Sequence, residues 1–323
     1  MLDADARKLL DLINSKHVPP YEAMPPVAAR AFFKAGAFTS QPPAPQLARV
    51  ENLLAEGPAG TIPVRHYRPL PALAGTSLPV LVFFHGGGFT LGDIDTHDVL
   101  CRQLCDQAGI AVVSVDYRLG PEHKFPAAHV DCFAALQWVV AQADRLGINP
   151  ARIAVGGDSA GGNIAAACAL MARDSGGPSL AFQLLIYPAT DFRCIAPSHK
   201  RNGEDYLLTS TLIEYFCACY LNSPADRLDW RLSPVLAASH AKLPPALILT
   251  AGYDPLVDEG REYAERLQLA GVQSEHVCYE GQLHGFITMG RFIAQANEAV
   301  ALCADRLRTL HDDTDRMPAS HAA

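Results

Sequence analysis

Hydrophobic and polar positions change rhythm several times along the 323 residues, and each change marks an element. Leu2, Leu9, Leu10 and Ile13 recur on one helical face, which predicts a short amphipathic helix over 2–13. The rhythm then stops in a proline-rich stretch, with Pro19-Pro20, Pro25-Pro26 and the prolines between Pro42 and Pro45. Proline lacks the backbone donor that helices and sheet ladders need, so no regular element is expected to cross this stretch. Residues 49–54 and 62–67 read as two strands joined across Gly57-Pro58-Ala59-Gly60, a hairpin with turn residues at its tip.

From Val80 onward, short apolar runs alternate with helical stretches. The runs at 80–84, 111–115, 152–155 and 182–187 lack polar alternation, as expected of strands covered on both faces in a parallel sheet. Helices are predicted over 95–107, closed by Gly109, and over 126–143, ending before Gly147. A third, Ala-rich and free of Gly and Pro, covers 163–172. Alternation breaks over 188–245, which contains Gly203, Pro224, Pro234, an aromatic helical segment at 211–220 and no clear strand. It resumes with a strand at 246–250, a helix at 258–270, a strand at 275–279 and a last helix at 292–310. The layout is therefore an α/β domain over 47–188 and 241–312, interrupted by an insertion at 189–240. The N-terminal segment 1–46 and the insertion are expected to cap the sheet edge, and 313–323 reads as a polar tail.

Composition narrows the class. Hydrophobic residues make up 49% of the chain and charged residues 19%, a balance that supports a large packed core. The formal net charge of −8 argues against a nucleic-acid or anionic-membrane partner, which would ask for a basic patch. Asp3, Asp5, Arg7, Lys8 and Asp11 leave no apolar signal-peptide core, and no apolar run approaches a membrane span, so a cytoplasmic location is expected. The nine cysteines lack C-x-x-C spacing. Neither Cys101 with Cys105 nor Cys217 with Cys219 has His or Cys ligands placed to complete a zinc site. They read as small buried thiols in a reducing compartment, and no metal is expected.

The candidate chemistry gathers at Gly157-Asp158-Ser159-Ala160-Gly161, between an apolar strand and the Ala-rich helix. A strand that turns at once into a helix leaves little room at the bend, and two glycines flank Ser159 there. This G-x-S-x-G arrangement is that of a nucleophile elbow, which presents a serine hydroxyl at the sheet edge. Such a hydroxyl needs a base, and the base needs an orienting carboxylate, in the chain order serine, acid, histidine. Of twelve histidines, His284 alone lies beyond the acid candidates and follows a late strand across a short turn, Glu280-Gly281-Gln282-Leu283. Asp254, in the loop after the strand at 246–250, is the candidate acid. Asp258 and Glu259 compete, but they sit where a carboxylate caps a helix, and Glu280 is near His284 only along the chain. The oxyanion formed on attack needs preorganised donors. His85-Gly86-Gly87-Gly88-Phe89 follows the strand at 80–84, so the amides of Gly87, Gly88 and Ala160 are the expected oxyanion hole. His85 itself reads as a structural hydrogen-bonding residue.

These segments, with Asp254-Pro255-Leu256-Val257-Asp258 and His284-Gly285-Phe286, resemble the hormone-sensitive-lipase-like esterases (bacterial family IV) of the α/β-hydrolase fold. So does Asp116-Tyr117-Arg118-Leu119-Gly120-Pro121-Glu122-His123 with Phe125-Pro126-Ala127-Ala128, although the family usually has Ala at the position of Gly120. The resemblance implies a mostly parallel central sheet flanked by helices, with a helical cap. It implies a carboxylesterase for short- to medium-chain acyl esters, using no metal or organic cofactor, and a homodimer in some members. Phe89, Asp158 and Leu207 are candidate substrate contacts; core or cap packing is the alternative for Phe89 and Leu207, and for Asp158 the alternatives are orienting cap or loop groups and a charge exposed at the turn. Amide hydrolysis or deacetylation would use the same residues. A non-catalytic ligand receptor on the same fold is expected to lose part of the triad, whereas Ser159, Asp254 and His284 all stand here. A triacylglycerol lipase would call for an extended apolar segment that this chain lacks.

Overall fold

The computed structural model describes residues 1–71 and 77–311, so the expected tail at 313–323 lies outside the described residues. Among the described residues eight strands form one sheet in the order β1-β2-β4-β3-β5-β6-β7-β8. β1 (Arg49–Gly57) and β2 (Gly60–Arg68) make the expected antiparallel hairpin, with Pro58-Ala59 between the paired Gly57 and Gly60. β2 pairs antiparallel with β4 (Ala111–Val115). The others, β3 (Leu78–Phe84), β5 (Ile148–Asp158), β6 (Phe182–Ile186), β7 (Ala246–Tyr253) and β8 (Ser274–Leu283), join in parallel.

Helices cover both faces, which is why the middle strands need no polar side. Val80, Val82 and Phe84 of β3 enter one buried cluster with α4 (Ala127–Ala141), α6 (Ala160–Ser175) and α9 (Val257–Leu269). Leu81 and Phe83 enter the other, with α1 (Ala4–Ser15), α3 (Asp98–Ala108) and α10 (Ala294–Arg308). Each such side chain, wholly removed from water, contributes about 1.5–3 kcal/mol. The 188–245 region is strand-free, as expected, and holds α7 (Pro197–Arg201) and α8 (Ser210–Tyr220). Seven of the nine thiols are buried, with Cys194 and Cys278 half-buried.

The structure corrects several expectations. α2 (Pro26–Ser40) is a 15-residue helix inside the proline-rich stretch. Pro26 sits in its first turn, where a missing N–H is no loss, so the prolines bound a helix instead of forbidding one. Only Ala29 of α2 is buried, and the helix is held by polar ties. Arg30 donates to the carbonyls of Thr90 (2.8 Å) and Gly120 (2.7 Å), and Lys34 pairs with Asp93 and Asp95. α3 starts at Asp98 and not at residue 95, because Asp93 and Thr96 bond each other's backbone amides and hold a turn. The helix expected over 126–143 is divided between α4 and α5 (Ala143–Leu146), and α10 begins at Ala294. β8 runs through Leu283, so residues 280–283 are strand and not a turn; a register break between Ala251 and Tyr253 of β7 absorbs the added length.

Candidate active site

β3, β5, β7 and β8 end at one edge of the sheet, and the segment after each carries one part of the site. Ser159 follows β5 and precedes α6 at φ 56°, ψ −117°, a conformation that a non-glycine residue keeps only when its surroundings force it. Its N–H donates to the Ile186 carbonyl (2.9 Å), and its own carbonyl accepts from Asn163 (3.0 Å). Gly157 and Gly161 are required by space, since a Cβ on either would strike the Phe84 carbonyl.

His284 Nε2 lies 2.9 Å from Ser159 Oγ, and its Nδ1 lies 2.6 Å from Asp254 Oδ2. The second Asp254 oxygen accepts the Leu256 N–H at 2.8 Å, and the residue is fully buried. An ionised carboxyl is acceptor-only, so it keeps the proton on Nδ1 and turns the Nε2 lone pair toward the serine. The Tyr187 ring packs against the imidazole with centroids 4.7 Å apart.

The competing carboxylates are engaged elsewhere. Asp258 pairs with Arg201 (2.9 Å). Glu259 is buried, accepts from the Thr190 (2.7 Å) and Asp191 (3.1 Å) amides and lies 2.8 Å from His199; burial raises its pKa against these partners. Neither side chain caps α9, whose cap position is Leu256. Glu280 is exposed on β8.

Gly87 and Gly88 take φ values of 117° and 59°, left-handed backbone that favours glycine. The Gly87 carbonyl is tied back by the N–H groups of Thr90 (3.1 Å) and Leu91 (2.8 Å). Among the described residues the N–H groups of Gly87 and Gly88 meet no protein acceptor. Ala160 opens α6, where an N–H has no intrahelical partner. The Phe216 ring of α8 lies directly against Gly88, so a side chain there would displace it.

Residues 81–288 match the family described as the alpha/beta hydrolase fold. A carboxylic ester hydrolase, LipN, of Mycobacterium tuberculosis is 47% identical over 287 residues, spanning 85% of this chain and 75% of that protein. An ethyl acetate hydrolase of Pseudomonas putida is 43% identical, over 77% of this chain and 78% of its own length. Among solved structures, an ester hydrolase from the metagenome of Lake Arreo, complexed with a bipyridine phosphonate derivative, superposes with a TM-score of 0.93. It is 42% identical and covers 96% of this chain and 99% of its own. The chain belongs to the hormone-sensitive-lipase-like members of the α/β-hydrolase fold.

In this hydrolase Asp158 is buried behind the glycine loop and not offered to a ligand, which revises the expected substrate contact. It accepts the Gly86 N–H at 2.9 Å and faces His97 Nε2 at 3.2 Å. Burial pushes its carboxyl up, but His97 and the Gly86 amide outweigh that and hold the pKa below the usual range. Phe89 is 1% exposed and stacked on Tyr220 at 4.3 Å, so its ring supports the loop from within and is likewise no open contact surface. Leu207 is half-buried on the cluster that includes Tyr187. His85 is the expected structural residue: it donates from Nδ1 to the Gly86 carbonyl (2.8 Å) and stacks on Tyr117, and burial lowers its pKa to about 4. Gly120 departs from the usual alanine for a steric reason, since a Cβ there would lie 2.8 Å from the Cys219 carbonyl. Sequence reasoning missed His97 and the pair His129–Asn163, joined at 2.8 Å across elements, because nothing separates these two among twelve histidines.

Among the described residues no group of three or more His, Cys, Asp or Glu side chains could hold a metal ion. No described helix is long and apolar enough to cross a membrane.

Proposed function

We propose that the hydrolase is a serine carboxylesterase that cleaves short- to medium-chain acyl esters through an acyl-enzyme. The observation that carries this reading is the unbroken line from Ser159 Oγ through His284 to the buried Asp254 carboxyl. His284 Nε2 takes the serine proton as Oγ attacks the ester carbonyl carbon, and Asp254 stabilises the imidazolium that results. The amides of Gly87, Gly88 and Ala160 hold the oxyanion. Collapse breaks the bond to the alkoxy oxygen, which leaves with the proton from His284. Water then enters, loses a proton to His284, attacks the acyl carbon and releases the acid and Ser159. Preorganisation suits this sequence: one such amide donor is worth about 10²–10³ in rate.

The same reading assigns the cap to 1–46 and 189–240 and the catalytic domain to 47–188 and 241–312. It is supported by Phe216 resting on Gly88 and by the Tyr215 hydroxyl donating to the Met24 carbonyl (3.4 Å). Leu207 is proposed to touch the acyl group. β8 is an edge strand, and two copies pairing along it are the proposed assembly, which light scattering would read. A cytoplasmic setting completes the proposal, readable by fractionation.

The test is Ser159→Ala assayed on p-nitrophenyl butyrate. We expect an unchanged circular dichroism spectrum and turnover lost by about 10⁶-fold, the order seen when such a serine is removed. Turnover near that of the parent would overturn the nucleophile assignment.

A further inference from the structure

The catalytic acid stands on a stretch of backbone that its own sheet cannot hold. β7 and β8 pair regularly up to Ala251, then break register before Tyr253, so Gly252 falls in the gap. The added residues belong to β8, whose Glu280, Gly281 and Gln282 stand opposite the single Gly252, so Gly252 has no ladder partner and its carbonyl needs a donor from elsewhere. A Cβ on Gly252 would strike the Glu280 carbonyl, so the two strands close tightly there. Asp254 follows two residues later, just past the end of β7, its carboxyl fully buried and its carbonyl accepting the Val257 N–H at 3.3 Å.

The donor for Gly252, and a second donor for Asp254, come from the insertion. Asn202 is 4% exposed, and its Nδ2 lies 3.0 Å from the Gly252 carbonyl and 3.0 Å from the Asp254 carbonyl. A carboxamide nitrogen carries two N–H groups spread in one plane. Here both are used, one on each side of Tyr253, so the fork fixes the separation and direction of the two carbonyls that bracket it. Asn202 is itself anchored by its N–H to the Ser198 carbonyl (2.8 Å). Its neighbours grip the following residues: Ser198 Oγ donates to the Pro255 carbonyl, Arg201 pairs with Asp258, and His199 meets Glu259. The segment 198–202 therefore lies along the acid loop from end to end.

We propose that Asn202 is a positioning residue for the catalytic acid, its forked hydrogen bond to the carbonyls on either side of Tyr253 holding Asp254 in the one orientation that reaches His284. The proposal rests on the triad reading above. It predicts that the insertion takes part in catalysis through the acid, and not solely by shaping a substrate pocket.

The physical scale is set by geometry. A carboxyl displaced by about 1 Å no longer orients the imidazole, and misplacements of that size cost about 10²-fold. In Asn202→Ala we expect kcat to fall about 10- to 100-fold while KM stays within about threefold, since nothing in the change touches bound substrate. A residue that only filled space would lower the melting temperature and leave the kcat-to-KM split alone.

The deciding experiment is a double-mutant cycle of Asn202→Ala with Asp254→Asn, measured on the full chain with p-nitrophenyl butyrate. If Asn202 acts through Asp254, its loss costs little in the Asp254→Asn background, within about threefold. Equal factors in both backgrounds, or an effect confined to KM, would overturn the proposal. Should Asn202→Ala fail to fold, Asn202→Ser, which keeps one donor, is run through the same cycle with the same criterion. Asp254→Asn alone tests the triad: full activity there removes the triad reading and this inference together, whereas a dead Asp254→Asn with an additive cycle removes this inference only.

Discussion

At the scale of single residues, the deciding feature is which imidazole nitrogen carries the proton. Asp254 controls this from 2.6 Å away, and Asp258, four residues on, spends its charge on Arg201 near the surface. Asp254→Asn is therefore expected to lower kcat by about 10⁴-fold, because the amide can no longer enforce the tautomer. Asp258→Asn removes a solvent-screened pair and is expected to change kcat by less than about threefold. Steady-state kinetics of the two variants side by side check this; the reverse ranking would show that the acid is misassigned. Ser159, Asp254 and His284 were legible in the chain because each lies in a short motif just after an apolar strand. Phe89 and Asp158 were not, because a residue beside a site can face it or turn its back. The Phe89 ring finds Tyr220, and the Asp158 carboxyl finds Gly86 and His97.

At the scale of elements, the elbow depends on how closely β5 and α6 approach β3. A Cβ on Gly161 would run into the Phe84 carbonyl, which belongs to a fully buried central strand and has no room to retreat. Gly161→Ala is thus expected to cost about 3 kcal/mol or more, at the upper end for overpacking, with activity lost in parallel. A shift of the urea midpoint by less than the equivalent of about 1 kcal/mol would contradict this account of the bend. The same scale explains the proline-rich stretch. Proline forbids a helix interior but suits a first turn, so the position of Pro26 relative to the helix start decides its meaning. α2 buries a single alanine, and tertiary ties from Arg30 and Lys34 hold it, which a hydrophobic-periodicity reading does not register.

At the scale of the whole molecule, burial sets how stability responds to acid. His66, His85 and His129 are all held down to about 4, mainly by burial, against an unfolded value of 6.5. Between those values the unfolded chain binds protons that the folded chain refuses, so stability falls as pH drops from 6.5 toward 4. Asp116, raised to about 6 by burial, and Glu259, also raised, oppose this, since their folded forms take up protons first. His240 and His276 are lowered by burial as well, so five histidines outnumber the two raised carboxyls and the net effect is a loss of stability, each net proton being worth about 1.4 kcal/mol per pH unit. Urea unfolding at about pH 7, 6 and 5 checks the sign; stability that is flat or rising toward pH 5 would refute it. What the chain determined by itself were features governed by neighbours in sequence: apolar runs that make buried parallel strands, glycines at a tight bend, and the order of serine, acid and histidine. What only the tertiary structure decided were contacts between residues far apart, such as Asn202 on the acid loop 52 residues onward. Burial, pairing and hydrogen-bond choice are settled there, by which groups meet once the sheet and its helices close, and periodicity along the chain carries no trace of that meeting.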